Sequence, residues 1–191
     1  MLRDEKRERE LLQQIVGGDK NAMKTFYDIY SGYLTGVCSR YVSNKEDIKD
    51  ILQESFLNIF KSIHNFKYRG IGSLKAWSAR IVVNESLKHI KENEKMQLTS
   101  LPAWDLPDHN EILDSDLEDI PTSEILKMIS SLPTGYRTVF NLFVFEGKSH
   151  KEIASILDIA ENSSASQLHR AKSLLVKEIE LYRINKNKNE R

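Results

Sequence analysis

The chain has 191 residues, 40% of them hydrophobic and 29% charged, with 28 Lys and Arg against 28 Asp and Glu, so its formal net charge is zero. This composition describes a soluble globular chain with room for one domain or two small ones. Cys38 is the only cysteine, which excludes an intrachain disulfide and a thiolate metal cluster, and the charged start Met1 to Glu10 has no apolar stretch behind it for a signal peptide or a membrane span, so a cytoplasmic location is expected.

A short leading helix is expected around Leu11 to Val16. The next run places Ala22, Phe26, Ile29, Tyr30, Tyr33, Leu34, Val37, Cys38 and Tyr41 at steps of three and four, which traces one face of a helix. A third run holds Ile48, Ile51, Leu52, Phe56, Ile59, Phe60 and Ile63, and a fourth holds Leu74, Trp77, Ile81, Val82, Leu87 and Ile90. Gly17-Gly18-Asp19, Ser43-Asn44 and Arg69 to Ser73 separate them with stop and cap residues. No stretch alternates with a period of two, so no sheet is expected.

Between residues 93 and 123 the helical spacing stops, and Pro102, Pro107 and Pro121 sit among Asp105, Asp108, Glu111, Asp114, Asp116, Glu118 and Asp119. This composition reads as an extended acidic linker. Asp114-Ser115-Asp116 has no partner ligands at fixed offsets and is read as solvated charge, not as a metal site. Helical spacing returns with Ile125, Leu126, Ile129 and Leu132, breaks at Pro133, and continues with Val139, Phe140, Phe143 and Val144. Ser149-His150-Lys151-Glu152 is a capping box opening a short helix with Ile153, Ala154, Ile156 and Leu157. After Asp158 to Asn162, Ser163 is an N-cap type, and a longer run follows through Leu168, Ala171 and Leu175. Short helix, tight turn, longer helix is the pattern of a helix-turn-helix. At 100° per residue, positions 164, 168, 171 and 175 face the core; Asn162, Ser166, His169, Arg170 and Ser173 face away, with Ser163 and Gln167 on the flanks. Residues 184–191 are left as a disordered tail.

Charge follows the same divisions. Residues 1–92 carry 16 basic and 12 acidic side chains, residues 93–123 carry 1 and 8, and residues 124–191 carry 11 and 8, for nets of +4, −7 and +3. Two basic blocks joined by an acidic strap have different electrostatics from a uniformly neutral chain.

Leu132-Pro133, Tyr136 to Phe140, Glu146 to Ser149, Glu152-Ile153-Ala154 and Leu168 to Lys172 resemble region 4 of bacterial sigma factors. Asp47 to Phe56 resembles region 2.2, and Phe66, Arg69-Gly70, Trp77, Arg80, Ile81 and Asn84 resemble regions 2.3 and 2.4. With nothing similar to regions 1.1 or 3, the match is to the minimal extracytoplasmic-function type. The resemblance implies an all-α chain of two small helical domains joined by the acidic linker: residues 1–92 binding core polymerase and the minus-10 element, and 124–183 binding the minus-35 element.

It further implies that Asp47, Asp50, Gln53 and Glu54 grip the clamp helices of the polymerase's largest subunit. Asp47, Asp50 and Glu54 recur at steps of three and four, so they line one side of their helix. The loop Asn65 to Ser73 offers an aromatic face, cations and glycines, the features that stacked bases, phosphates and close backbone approach require. The minus-10 contacts are then Phe66, Lys67, Arg69, Lys75, Arg80, Asn84 and Lys88, while Trp77 falls in the apolar stripe with Leu74 and Ile81 and is assigned to the core. The minus-35 set is Ser149, Asn162, Ser163, Ser166, Gln167, His169 and Arg170. The linker is either a solvated tether or, as in the family, a strand lying in the RNA path. A membrane-anchored anti-sigma factor is a further partner the resemblance implies. The recognition helix departs from many relatives: Asn162 to Gln167 reads Asn-Ser-Ser-Ala-Ser-Gln, with Ala165 and Gln167 where cations are common and Ser164 for a core valine.

Two other classes compete. Five histidines form no His-x-x-x-His pair, and there is no nucleophile motif or phosphate loop, so neither an enzyme nor a metal or cofactor site is expected. A helix-turn-helix regulator that never joins polymerase would leave the Asp47 to Phe56 and Phe66 to Asn84 similarities unexplained.

Overall fold

The computed structural model describes residues 2–93 and 119–189, with side chains over 5–93 and 119–186. Most of the acidic linker, including Asp114-Ser115-Asp116, lies outside the described residues. The chain divides into two units, one ending at Glu92 and the other beginning at Asn93. The described residues form eight α-helices and one short 3-10 turn, with no strand among them.

The first unit holds α1 (Leu2–Val16), α2 (Lys20–Ser39), α3 (Lys45–Ser62), the 3-10 turn Ile63–Asn65 and α4 (Ser73–Asn93). The helix expected around Leu11 to Val16 begins nine residues earlier, at Leu2. Its charged start is helical because the charges pair along one face: Arg9 bonds Glu5 at 3.1 Å and Lys6 lies 3.7 Å from Glu10. Asp19 caps α2 by accepting from the Asn21 and Ala22 amides, and Asn44 caps α3 by accepting from Glu46 and Asp47. The core between these helices is built on Ile15, Phe26, Leu34, Val37, Tyr41, Ile59, Leu74, Val82 and Ile90. Each such side chain contributes about 1.5–3 kcal/mol by leaving water. Phe26 makes edge contacts with Phe56 and Phe60 at centroid distances of 6.3 and 5.7 Å.

The expected apolar stripes need two corrections. Ile29 and Tyr33 are exposed, because they lie on one edge of a stripe wider than the groove that α2 fills. On α4 the buried row is Leu74, Ser78, Val82 and Ser86, with Trp77 and Ile81 displaced to its flank. Ser78 and Ser86 behave as small core residues because their hydroxyls donate to the carbonyls of Leu74 and Val82, each at 2.8 Å. Cys38 is fully buried, as expected; the Ser86 hydroxyl, whose proton goes to Val82, lies 3.6 Å from its sulfur, and burial pushes its thiol pKa up.

The second unit holds α5 (Thr122–Ser131), α6 (Thr134–Val144), α7 (His150–Leu157) and α8 (Glu161–Asn189). Helices α5, α6 and α7 all pack along α8. Pro133 ends α5 and starts α6. The buried Arg137 guanidinium reaches back to the carbonyls of Ser130 and Leu132 at 2.7 and 3.3 Å, satisfying acceptors that the end of α5 leaves without helical partners. Helix α8 begins at Glu161, two residues before the expected cap at Ser163, because the turn is completed by Asp158 in the left-handed conformation (φ 57°). It also runs through Asn189, past residue 183 where a disordered tail was expected: no glycine or proline interrupts it from 161 to 189.

Candidate nucleic-acid interface

Residues 66–69 have no regular secondary structure, with Phe66 itself extended, and 70–72 turn into α4. Gly70 (φ 120°) and Gly72 (φ 81°) occupy conformations that side chains rarely adopt. Ser73 Oγ locks the turn by donating to the Gly70 carbonyl at 2.6 Å and accepting from the Arg69 amide at 3.2 Å. Across the mouth of the turn, the Phe66 ring lies 5.0 Å from Trp77, tilted by 41°. The two rings line a cleft of about 400 Å³ whose other walls include Asn65, Lys67, Arg69 and Arg80. Lys67, Arg69 and Arg80 are exposed. An aromatic slot with cations at its rim offers a stacking face and phosphate partners at the same place.

Trp77 therefore lines the cleft, where the sequence reading assigned it to the core. Arg80, Asn84 and Lys88 form an exposed row along α4 at steps of four, and Asn84 lines a second cleft of about 350 Å³ with Asn65, Lys61 and Asn58. Lys75 points elsewhere: its ammonium sits 3.9 Å above the Tyr33 ring on α2.

On α3, Asp50, Gln53 and Glu54 are exposed opposite the buried Ile51, Ser55, Phe56 and Ile59. Asp47 is partly buried, with Oδ2 3.4 Å from His89 Nε2 on α4. The four residues share one side of the helix, and Leu57 adds an exposed apolar side chain nearby.

In the second unit the capping box is present in full: Ser149 N–H donates to Glu152 at 2.9 Å and the Glu152 amide donates to Ser149 Oγ at 3.3 Å. These bonds, with Lys148 alongside, hold the Glu152 carboxyl below the usual carboxylate range. His150 fixes α7 to its neighbours, with Nδ1 3.0 Å from Ser164 Oγ and its ring stacked 5.0 Å from Phe143. Ser164, Leu168, Ala171 and Leu175 are buried, as the spacing predicts. Asn162, Ser166 and His169 are exposed and form one strip with Glu161 and Ala165, while Ser163 is partly buried.

Two residues of the outward set are corrected. Gln167 is 8% exposed, and its buried Oε1 accepts no hydrogen bond among the described residues. Ser173 is 2% exposed and donates to the His169 carbonyl at 3.0 Å. Both are covered because three helices pack along α8, which closes off faces that a lone helix would expose. Arg170 is partly buried and reaches the Tyr136 hydroxyl at 3.4 Å. Among the described residues, no group of three His, Cys, Asp or Glu could hold a metal, and no helix is long and apolar enough to cross a membrane.

Family comparisons fall on the same two units. Residues 26–96 match the family described as Sigma-70 region 2, and residues 122–175 match Sigma-70, region 4. The ECF RNA polymerase sigma-E factor of Haemophilus influenzae is 30% identical over 184 residues, covering 89% of this chain and 94% of that protein. This chain belongs to the ECF-type RNA polymerase sigma factors. The RNA polymerase sigma-H factor of Pseudomonas aeruginosa is 24% identical, covering 92% of this chain and 95% of that one. The sigma-E factor of Escherichia coli K12 is 25% identical over 175 residues, covering 86% and 90%. A solved structure of CnrH in complex with the cytosolic domain of CnrY aligns with a TM-score of 0.47 at 19% identity, covering 91% of this chain and 97% of that chain.

As a sigma factor the chain is a promoter-specificity subunit, an initiation factor whose partners are RNA polymerase core and promoter DNA. A helix-turn-helix regulator independent of polymerase is not favoured, since region 2 accounts for a separate stretch of the chain. Trp77 was legible as an aromatic four residues after Ser73; Glu8 was not, as one acid in a charge run whose contacts lie 22, 60 and 64 residues away.

Proposed function

We propose that the cleft lined by Phe66 and Trp77 takes a base of the melted minus-10 element, with Lys67, Arg69 and Arg80 neutralising the adjoining phosphates and Asn84 and Lys88 extending the contact along α4. The observation carrying this reading is the pairing of an aromatic wall, the touching Phe66 and Trp77 rings, with exposed cations around the same cleft. Melting then requires no chemistry of its own: extruding a base costs a few kcal/mol, which stacking and backbone contacts offset. Lys75, held over the Tyr33 ring, stands apart from this cleft.

The Asp47, Asp50, Gln53 and Glu54 side of α3 binds core polymerase, its charge supplying orientation and association rate. Helices α7 and α8 bind the minus-35 duplex. Asn162, Ser166 and His169 are the exposed side chains on the side offered to base edges, Ser149 and Ser163 lie by the backbone, and Arg170 and Gln167 support the helix from behind. The units 1–92 and 124–183 thus divide the promoter between them. The protein works in the cytoplasm, with no catalytic step, and a membrane-anchored anti-sigma factor covering these surfaces is a further partner. The acidic linker is either a solvated tether or a strand in the RNA path; a change in abortive product yields on neutral replacement of Asp114, Asp116, Glu118 and Asp119 would select the second, and unchanged yields the first.

Transcription by purified core polymerase with and without the protein tests the division. Gln53→Ala with Glu54→Ala should weaken core binding about ten-fold, as expected for hydrogen bonds to a charged group, and spare DNA contacts once holoenzyme is saturated. Arg80→Ala or Asn84→Ala should leave core binding intact and lower open-complex yield. Equal effects of both classes on core binding would refute the assignment.

A further inference from the structure

We infer that Glu8 on α1 is a positioning residue for the promoter-reading loop, its carboxylate holding residues 68–72 in the shape that presents Phe66, Lys67 and Arg69. The inference rests on the proposal that this loop binds the minus-10 strand. Three donors from different parts of the unit converge on the carboxylate. The Tyr30 hydroxyl donates to Oε1 at 3.3 Å, the Tyr68 hydroxyl donates to Oε2 at 3.0 Å, and the Gly72 amide donates to Oε2 at 3.2 Å. Arg9, one residue on, lies 4.5 Å over the Tyr68 ring. The loop is thus gripped at its tyrosine face, its tyrosine hydroxyl and its second left-handed glycine.

The physical need is clear from the loop itself. Residues 66–69 have no regular secondary structure, and the local bonds fix the turn at 69, 70, 72 and 73 but not Tyr68. Without a long-range contact, Tyr68 would be free to sample other conformations, and only a fraction of molecules would present a competent cleft. A ligand's apparent affinity falls by that fraction. A carboxylate suits the task because it offers two oxygens that both accept, whereas a serine or amide could not hold three donors equally. The phenols stay protonated donors: burial, then the Glu8 charge, pushes Tyr30 up to about 12, and Tyr68 is also raised. Glu8 touches neither the slot nor its cations, so it acts on DNA only through the loop.

Lys67 and Arg69 supply an internal test, since trypsin cuts after both. In the full chain, Glu8→Ala should speed cleavage after Lys67 and Arg69 about ten-fold relative to cleavage elsewhere, the factor expected if the closed loop falls from dominant to minor. Glu8→Gln, which keeps one accepting oxygen in place, should restore most of the protection, and Tyr68→Phe, which leaves α1 untouched, should give a partial loss. In holoenzyme, Glu8→Ala should weaken binding of a single-stranded minus-10 oligonucleotide about ten-fold at unchanged core affinity, because pre-organisation is lost and no contact is removed. Unchanged cleavage in both Glu8→Ala and Tyr68→Phe would overturn the inference, as would faster cleavage with unchanged oligonucleotide binding. Phe66→Ala separates the two ideas: if it too leaves oligonucleotide binding unchanged, the loop's proposed DNA role fails, whereas a loss in Phe66→Ala alone refutes only Glu8.

Discussion

The two units, both net basic over residues 1–92 and 124–191, expose their charge differently on the surfaces proposed to meet DNA. In the first, Lys67, Arg69, Arg80 and Lys88 stand exposed around or beside an aromatic slot, and the neighbouring acid, Glu8, is engaged with tyrosine and amide donors. In the second, the exposed strip of α8 holds Asn162, Ala165, Ser166 and His169 beside an acid, Glu161, while Arg170 is turned to Tyr136 and Gln167 is buried. A loop on a rigid scaffold leaves its cations to the ligand. A helix clasped by three others uses part of its polar surface to hold the fold. The first unit should therefore bind mainly through phosphates, and the second through neutral contacts of good shape.

The sharpest way to break this comparison is to strip the first unit. Changing Lys67, Arg69 and Arg80 together to Ala should weaken holoenzyme binding to a forked minus-10 probe about 100-fold and flatten its salt slope by about 2, at ~0.7 per single-strand phosphate. A slope that stays put would mean these cations do not meet the backbone. In the second unit, His169→Ala should cost about 1 kcal/mol of minus-35 affinity, with the salt slope unchanged. Competition binding at two salt concentrations distinguishes the cases. Gln167→Met should leave promoter affinity within about two-fold and stabilise the chain by up to about 1 kcal/mol, because it removes a buried oxygen without a partner. A large loss of minus-35 binding would show that Gln167 reaches DNA.

The smallest expected effect concerns pH. The Glu152 carboxyl is lowered in the folded chain, so its stabilising contribution is complete above the ordinary carboxylate value of 4.5 and fades as the pH falls through the lowered folded value. Urea unfolding should show a slight deficit for Glu152→Gln at pH 7 that vanishes in acid. No comparable change is expected between pH 6 and 8.

Much of this arrangement was legible before any coordinates. The apolar spacing located α2, α3, α4 and the four helices of the second unit, Gly17 to Asp19 and Ser43-Asn44 marked two breaks between helices, and Ser149 with Glu152 marked a helix start. Several of the errors share one cause. Ser78, Ser86 and Ser173 hide their hydroxyls by bonding a carbonyl four residues back in the same helix, so they pack as small core residues while reading as polar. Trp77 was displaced to the cleft for the same reason, since serines filled the row it was assigned to. In α1 the error ran the other way: a charge run that looked solvated pairs along its own face and turns Glu8 inward.

The sequence by itself determined the periodicity, the breaks, the helix-turn-helix and the change of charge sign near residues 93 and 123, because each of these depends on neighbours a few positions apart. Only the tertiary structure decided which polar groups are free. Whether Gln167 faces a groove, whether Arg170 is available and whether Glu8 holds a loop 60 residues away depend on which helices close over them, and that is set by packing between distant parts of the chain.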